Sequence, residues 1–382
     1  MIYLDNAATT AHKPPEVVAA VVRALERFGG VGRGAHAASL DAGLTVFRAR
    51  EALAHLVGAP GPARVAFCMN ATEALNIAIA GLVRPGDRVI TTAASHNSVL
   101  RPLNRKADEE DCEVAVVPHD ACGALDYAAL ERELAQGARL VVLAHASNLT
   151  GDVYDVARVA RCAHEYGALL LVDAAQTAGC VPIDMHRDGM DLVAFTGHKG
   201  LYGPQGTGGL AVAEHVEVPP FKEGGSGVHS YDRRHPLRMP ESLEAGTLNA
   251  HGIAGLAAGV AFVQECGVEA IGARVRMLAE RFECGIRNIS GVRIYGGGGD
   301  AGRCGIVAFN VGDEDSAAVA DALNEGWGIC VRAGAHCAPL MHQALGTCNQ
   351  GAVRVSTSYF TTEDEVDTAV GAVADIAAEV CS

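Results

Sequence analysis

The chain has 382 residues, 49% of them hydrophobic and 20% charged, which is enough for one large domain and a smaller one. A formal net charge of −15 argues against general nucleic-acid binding, which needs clustered Lys and Arg, and no apolar run reaches membrane-spanning length. The twelve cysteines include no CxxC pair and the N-terminus lacks the basic start and apolar core of a signal peptide, so reduced thiols in a cytoplasmic protein are expected.

In chain order, the apolar patterning predicts helices over 16–28, 40–57 and 72–82, with a strand-like run at 63–69 before the third. Strands are predicted at 88–92, 113–117, 139–145, 168–173, 191–196 and 208–213, with helices at 127–136 and 153–166 among them. This alternation is the signature of a mostly parallel sheet wrapped by helices. Residues 216–247, rich in Pro, Gly, His and Arg, predict long loops. A helical stretch at 253–289, broken near Cys266-Gly267, then leads into a smaller α+β region. Its strands are expected at 292–295, 305–310 and 353–356, and its helices at 315–324 and 362–380. The run Gly29 to Gly34 imitates a nucleotide loop, but no strand precedes it and no Lys-Ser/Thr follows.

The chemistry gathers at predicted strand ends. Lys199 follows the apolar run 192–195 and is packed among glycines, whereas Lys13, Lys106 and Lys222 sit beside prolines, charges or loop residues and read as solvated amines. A lysine at the end of a buried strand loses solvation, so its pKa falls and its amine becomes a nucleophile suited to a Schiff base with an aldehyde cofactor. Asp173 ends another apolar run and can pair with a pyridine nitrogen, the role a carboxylate plays under pyridoxal phosphate. Both would lie at the carboxyl edge of a parallel sheet.

Other candidates are weaker alone. Asn70-Ala71-Thr72 opens a helix whose free N–H groups could hold a phosphate, or it is an ordinary cap. His96, at a strand end, could stack on a cofactor ring and move protons. Cys337 lies in a small-residue loop beside His336 and after Arg332, a setting for a reactive thiol or a buried one. Arg354 sits inside an apolar strand and needs an anion, either a substrate carboxylate or a structural partner. His336, Cys337 and His342 lack a fourth ligand in structural spacing, so no metal is expected.

These residues carry a resemblance. Tyr3-Leu-Asp-Asn-Ala-Ala-Thr-Thr, Ala71-Thr-Glu-Ala, Ser147-Asn-Leu-Thr-Gly, Val172-Asp-Ala-Ala-Gln, Thr196-Gly-His-Lys, Glu244-Ala-Gly-Thr-Leu-Asn and Arg332-Ala-Gly-Ala-His-Cys-Ala-Pro run in order along the chain. The set resembles the class V aminotransferase family of fold-type-I pyridoxal phosphate enzymes, in its group II cysteine desulfurase and selenocysteine lyase branch. The resemblance implies a large cofactor-binding domain over 15–252, with a mostly parallel seven-stranded sheet wrapped by helices. Residues 1–14 and 253–382 would form a small α+β domain carrying the catalytic Cys loop.

It also implies roles. Lys199 bonds the pyridoxal phosphate and shuttles the α-proton, Asp173 pairs with the ring nitrogen, Gln176 bonds the phenolic oxygen and His96 stacks on the ring. Thr72, Thr196, His198 and the backbone of Ala71 hold the phosphate, and Thr247 reaches the phosphate of a neighbouring subunit in a homodimer. Asn148 and Arg354 hold the substrate carboxylate, Arg332 and His36 line the mouth, and Cys337 takes the sulfur as a persulfide. The implied reaction converts L-cysteine to L-alanine and passes sulfur to an acceptor protein, for example in iron–sulfur cluster assembly. Selenocysteine lyase on L-selenocysteine, a cystine or cysteine β-lyase and a class V aminotransferase are the alternatives. Ser95 stands where many relatives have an acid, Thr196 replaces the commoner Ser, and the loop at 222–240 matches no pattern.

Overall fold

The computed structural model describes residues 1–32 and 34–380; Arg33, within the glycine-rich run, lies outside the described residues. The strands are β1 (Ile2–Tyr3), β2 (Val65–Cys68), β3 (Arg88–Thr92), β4 (Glu113–Val117), β5 (Leu140–Ala144), β6 (Leu169–Asp173), β7 (Leu192–Thr196), β8 (Gly208–Val212), β9 (Val292–Tyr295), β10 (Ile306–Val311), β11 (Ile329–Cys330) and β12 (Val353–Ser356). Seven of them form one sheet in the order β2-β8-β7-β6-β5-β3-β4. From β3 to β7 all pairings are parallel, and β8 runs antiparallel to both β7 and β2. The expected seven-stranded, mostly parallel sheet is what the chain forms.

Helices cover both faces of this sheet, so its central strands carry continuous apolar runs rather than alternation. Every residue of β5, β7 and β8 is buried, whereas the edge strand β4 exposes Glu113 and Val116. After β3 the chain moves outward to β4, then returns to place β5 on the other flank of β3. The turns leaving β3 and β5 therefore diverge and open a crevice at the carboxyl edge, the place where such sheets bind ligands.

The short helix Pro339–Leu345 and the longer Asn97–Glu110 escaped the sequence patterning. Asn97–Glu110 contains Pro102 and ends in charges, yet it buries Val99, Leu100, Leu103 and Lys106. The burial of Lys106 corrects its reading as a solvated amine: its Nζ donates to Val83 O at 2.9 Å and to Glu110 at 2.7 Å. Lys13 is also half-buried, and of the three only Lys222 is exposed.

A second core lies around β9, β10 and β12, with Leu4, Phe282, Phe309, Val353, Val366 and Val373 at its centre. The helices Ala250–Cys266 and Val268–Ile286 meet at 84° across Gly267, whose φ of 85° favours a residue without a side chain. The expected division at 252/253 falls inside the first of these helices. Ala250, Ile253, Leu256 and Val260 of that helix belong to the core of the large sheet. No single helix among the described residues is long and apolar enough to cross a membrane.

The first residues bind the two cores together. β1 pairs in parallel with β11, and Asp5 bridges Ser356 at the end of β12. Asn6 Nδ2 then donates to Ser356 O at 2.9 Å, and the segment continues to the turn that carries Lys199.

Candidate active site

The carboxyl ends of five strands deliver the site. β2 leads to Asn70–Thr72, β3 to His96, β5 to Asn148, β6 ends at Asp173, and β7 leads through Thr196 and His198 to Lys199. Together with Gln176 they line one cleft of ≈ 160 Å³. These ten residues, separated by up to 129 positions in sequence from Asn70 to Lys199, thus meet at one sheet edge.

Lys199 is held there by its own backbone. The carbonyl of His198 accepts hydrogen bonds from Thr10 N at 3.0 Å, Thr9 Oγ1 at 3.2 Å, Thr10 Oγ1 at 3.1 Å and Lys13 Nζ at 3.1 Å. The next turn packs so closely on the turn after β6 that a Cβ on Gly179 would stand 2.2 Å from Gly200 O. Glycine is required at that contact. Burial is the main force that lowers the Lys199 amine to about 8, with the charge of Arg354 adding to it and Asp173 opposing it.

Asp173 responds to the same burial in the opposite direction. Desolvation raises its carboxyl, while the Ala175 N–H at 3.0 Å and the Lys199 charge pull it down. A cationic ring nitrogen placed beside it would stabilise the carboxylate and would in turn be kept protonated. Gln176 stands next to it and donates from Nε2 to Ala7 O at 3.2 Å.

His96 caps the helix Asn97–Glu110. Its Nδ1 accepts from Ser98 N at 3.0 Å, so the neutral ring carries its proton on Nε2. Burial, then the charges of Lys199, Arg332, Arg354 and Arg101, push it down to about 4. The ring is therefore neutral at pH 7.

The remaining groups fit a phosphate. Asn70 caps the helix Ala71–Leu82 through Glu73 N at 3.0 Å, while the first N–H groups of that helix have no intrahelical acceptor. The segment is a helix cap, and its remaining free N–H groups leave it able to take an anion as well. Thr72 is exposed toward the cleft. Thr196 Oγ1 and His198 Nδ1 are buried in the cleft wall without a partner among the described residues. Orphaned buried donors of this kind are costly unless a ligand completes them. An amine poised to bond an aldehyde, a carboxylate for a ring nitrogen and unfilled donors for an anion together match pyridoxal phosphate.

The Cys337 loop is tied to this cleft by main-chain bonds. Asn97 N donates to Cys337 O at 2.9 Å, and Asn148 Nδ2 donates to His336 O at 2.7 Å. His336 and Cys337 both adopt left-handed backbone, with φ of 48° and 56°. Two consecutive side-chain-bearing residues in that region store strain, which clusters at functional sites. Cys337 is partly exposed, and Arg332 on the same loop is exposed. The His336 ring is buried and bonds Ala352 O at 2.9 Å. Among the described residues no group of three or more His, Cys, Asp or Glu is arranged to hold a metal ion.

Three of the expected site residues stand apart from the cleft lining in this single chain. Arg354 is paired: Nη1 donates to Asn148 O at 2.8 Å and Nη2 to Asp5 Oδ1 at 3.0 Å. His36 is not among the residues lining the cleft; its Nδ1 accepts from Ser39 N at 3.4 Å and caps the helix Ala37–Leu56. Thr247 is exposed and lies outside this chain's cleft. The sequence reading missed the part played by Thr9, Thr10, Lys13 and Asp5; their only signal was their place in the N-terminal motif.

Comparisons with known proteins cover nearly the whole chain. The family model described as Aminotransferase class-V matches residues 2–369. A probable cysteine desulfurase of Methanothermobacter thermautotrophicus is 37% identical, the match covering 96% of this chain and 92% of that protein. A cysteine desulfurase of Haloferax volcanii is 33% identical, covering 98% of this chain and 88% of the relative. The solved apo structure of the cysteine desulfurase from Thermococcus onnurineus superposes with a TM-score of 0.93 at 32% identity, covering 99% of this chain and 95% of that one. The Escherichia coli cysteine desulfurase in its S-sulfonic acid form gives 0.88 at 32% identity with the same coverage. With a strand-end lysine facing a strand-end aspartate, unfilled donors for an anion and a family model spanning nearly its full length, the chain belongs to the class-V aminotransferase family.

Proposed function

We propose that this chain is a pyridoxal-phosphate-dependent cysteine desulfurase. L-cysteine enters the cleft, its sulfur passes to Cys337, L-alanine leaves, and a separate acceptor protein collects the sulfur. The observation that supports this most is the tether between the Cys337 loop and the two turns, at His96 and Asn148, that flank the Lys199 cleft.

Lys199 would hold the cofactor covalently and Asp173 its ring nitrogen, with Gln176 toward the phenolic oxygen. Thr72, Thr196, His198 and the Ala71 N–H would hold the phosphate. When bound, pyridoxal phosphate supplies an electron sink that makes the substrate α-proton acidic. The Lys199 amine takes that proton, because desolvation brings it down to about 8, where a substantial share is neutral and still basic. The Cys337 thiolate attacks the substrate sulfur: a sulfur–sulfur bond forms, the carbon–sulfur bond breaks, and its electron pair stays with the three-carbon skeleton. Protonation of the β-carbon, and return of a proton from Lys199 to the α-carbon, give alanine. Neutral His96, with its proton on Nε2, is placed to donate within the cleft.

The dimer is part of the same reading. Val18, Val22 and Leu25 on one helix and Leu40, Leu44 and Phe47 on the next are exposed apolar residues, which supports a second copy docking there. The exposed Thr247 is then free to serve the partner's phosphate site.

Incubating the cofactor-loaded protein with L-cysteine and a thiol reductant is expected to yield L-alanine and sulfide in equal amounts. Pyruvate in place of alanine would point to a β-lyase, and amine transfer to an added 2-oxo acid to an aminotransferase; either would overturn the proposal. A second expected result concerns pH. Only the neutral amine adds to an aldehyde, so cofactor uptake by the apoprotein rises with pH and levels off with a midpoint near about 8 rather than near 10.5. Stopped-flow absorbance across pH 6 to roughly 10 measures it.

A further inference from the structure

We propose that Asp5 is an internal stand-in for the substrate carboxylate, seated on Arg354 while the cleft is empty and displaced when an amino acid binds. The inference rests on the reading of Arg354 as the carboxylate-binding residue.

Arg354 is 1% exposed, and it is not among the residues lining the Lys199 cleft. A guanidinium this buried needs an anion, since an uncompensated interior charge is strongly destabilising. Its only anionic partner among the described residues is Asp5, whose side chain is 20% exposed. The pairing is incomplete. Arginine binds a carboxylate most strongly through two parallel N–H groups, and the fork available here is Nε with Nη2. Asp5 Oδ1 engages Nη2 at 3.0 Å, while Nε is buried with no partner among the described residues. A substrate carboxylate taking both Nε and Nη2 would make one more charge-assisted bond than Asp5 makes, and that surplus drives the exchange.

Asp5 is also mounted so that it can yield. It belongs to the N-terminal segment rather than to either sheet's interior, and Arg354 is its side chain's hydrogen-bond partner. Four residues later the same segment supplies Thr9, Thr10 and Lys13 to the His198 carbonyl. The carboxylate that leaves Arg354 is therefore carried by the strap that fixes the Lys199 turn. Asp5 acts as a positioning residue: it keeps Arg354 charged and oriented, and it sets the affinity that an incoming carboxylate must exceed.

Calorimetric titration of the cofactor-loaded dimer or monomer, as purified, with L-alanine and with L-alaninamide tests this. Asp5→Asn removes the competing charge and keeps the shape, so it is expected to bind L-alanine roughly tenfold more tightly than the parent chain and alaninamide no more tightly. Unchanged or weaker alanine binding, or an equal gain for alaninamide, would overturn the proposal. Asp5→Ser is expected to give the same sign; failure of both variants to fold would show a structural strut and would overturn it too. The readout is binding, so it separates the two claims. A chain that shows the tightening but releases no sulfur from cysteine contradicts the desulfurase reading alone. A chain that desulfurates cysteine with unaltered alanine affinity in Asp5→Asn contradicts the Asp5 proposal alone.

Discussion

Lys199→Ala is expected to abolish the visible absorbance of bound pyridoxal phosphate and to lower kcat by roughly 10³-fold or more, because it removes both the covalent anchor and the base. The fold is expected to survive. Lys199 is half-buried in the cleft wall, and desolvation is the main force that moves its amine to about 8, so the folded chain bears a cost for keeping it there. Removing it relieves that cost. The turn itself is held by backbone and by the bonds to the His198 carbonyl, none of which uses the Lys199 side chain. Equal far-ultraviolet circular dichroism and thermal midpoint in the variant, with the visible band gone, would separate chemistry from folding. Retention of the band would show that another amine carries the cofactor. The half-buried Lys13, lowered to about 8 by burial, is then the candidate.

Cys337→Ala is expected to keep the visible band and lose cysteine desulfuration by roughly 10² to 10⁴-fold, the size of effect that loss of a positioned nucleophile produces. The substitution is a clean one. The strained φ of 56° is borne by the backbone and by a Cβ that alanine also has, and the anchoring bond from Asn97 N goes to the main-chain carbonyl. Only the thiol changes. L-selenocysteine offers a test within the test, since selenium leaves more readily than sulfur and need not wait for a thiolate. Turnover of selenocysteine that survives in the variant while cysteine turnover falls would assign Cys337 to sulfur collection. Undiminished cysteine turnover would remove Cys337 from the mechanism.

Much of this was legible in the residues because the central strands are buried on both faces. Their apolar runs had to be continuous, and the predicted limits of β5, β6, β7 and β8 fall within one residue of the observed ones at each end. The chemical residues were legible for the same reason: a polar side chain that ends such a run stands out. Asn97–Glu110 was hidden by Pro102 and by a charged tail, although its buried face is regular. The break at Gly267 was visible as a glycine, but the core to which the preceding helix belongs was not, because Ala250 and Ile253 pack on residues far away in sequence. Burial of Lys106 depends on Val83 O and Glu110, and that of Lys13 on the His198 carbonyl 185 residues on. The partner of Arg354 lies 349 residues before it. No local pattern encodes the pairings of Lys13 and Arg354; both use the N-terminal segment, which β1 joins to β11.

The most direct measurement is the mass of the Cys337 peptide after one turnover with L-cysteine, with no reductant and no acceptor present. One additional sulfur atom on that peptide, absent from the peptides of the other cysteines and absent in Lys199→Ala, is the predicted result. An unmodified Cys337 in a protein that nonetheless releases alanine would contradict the account.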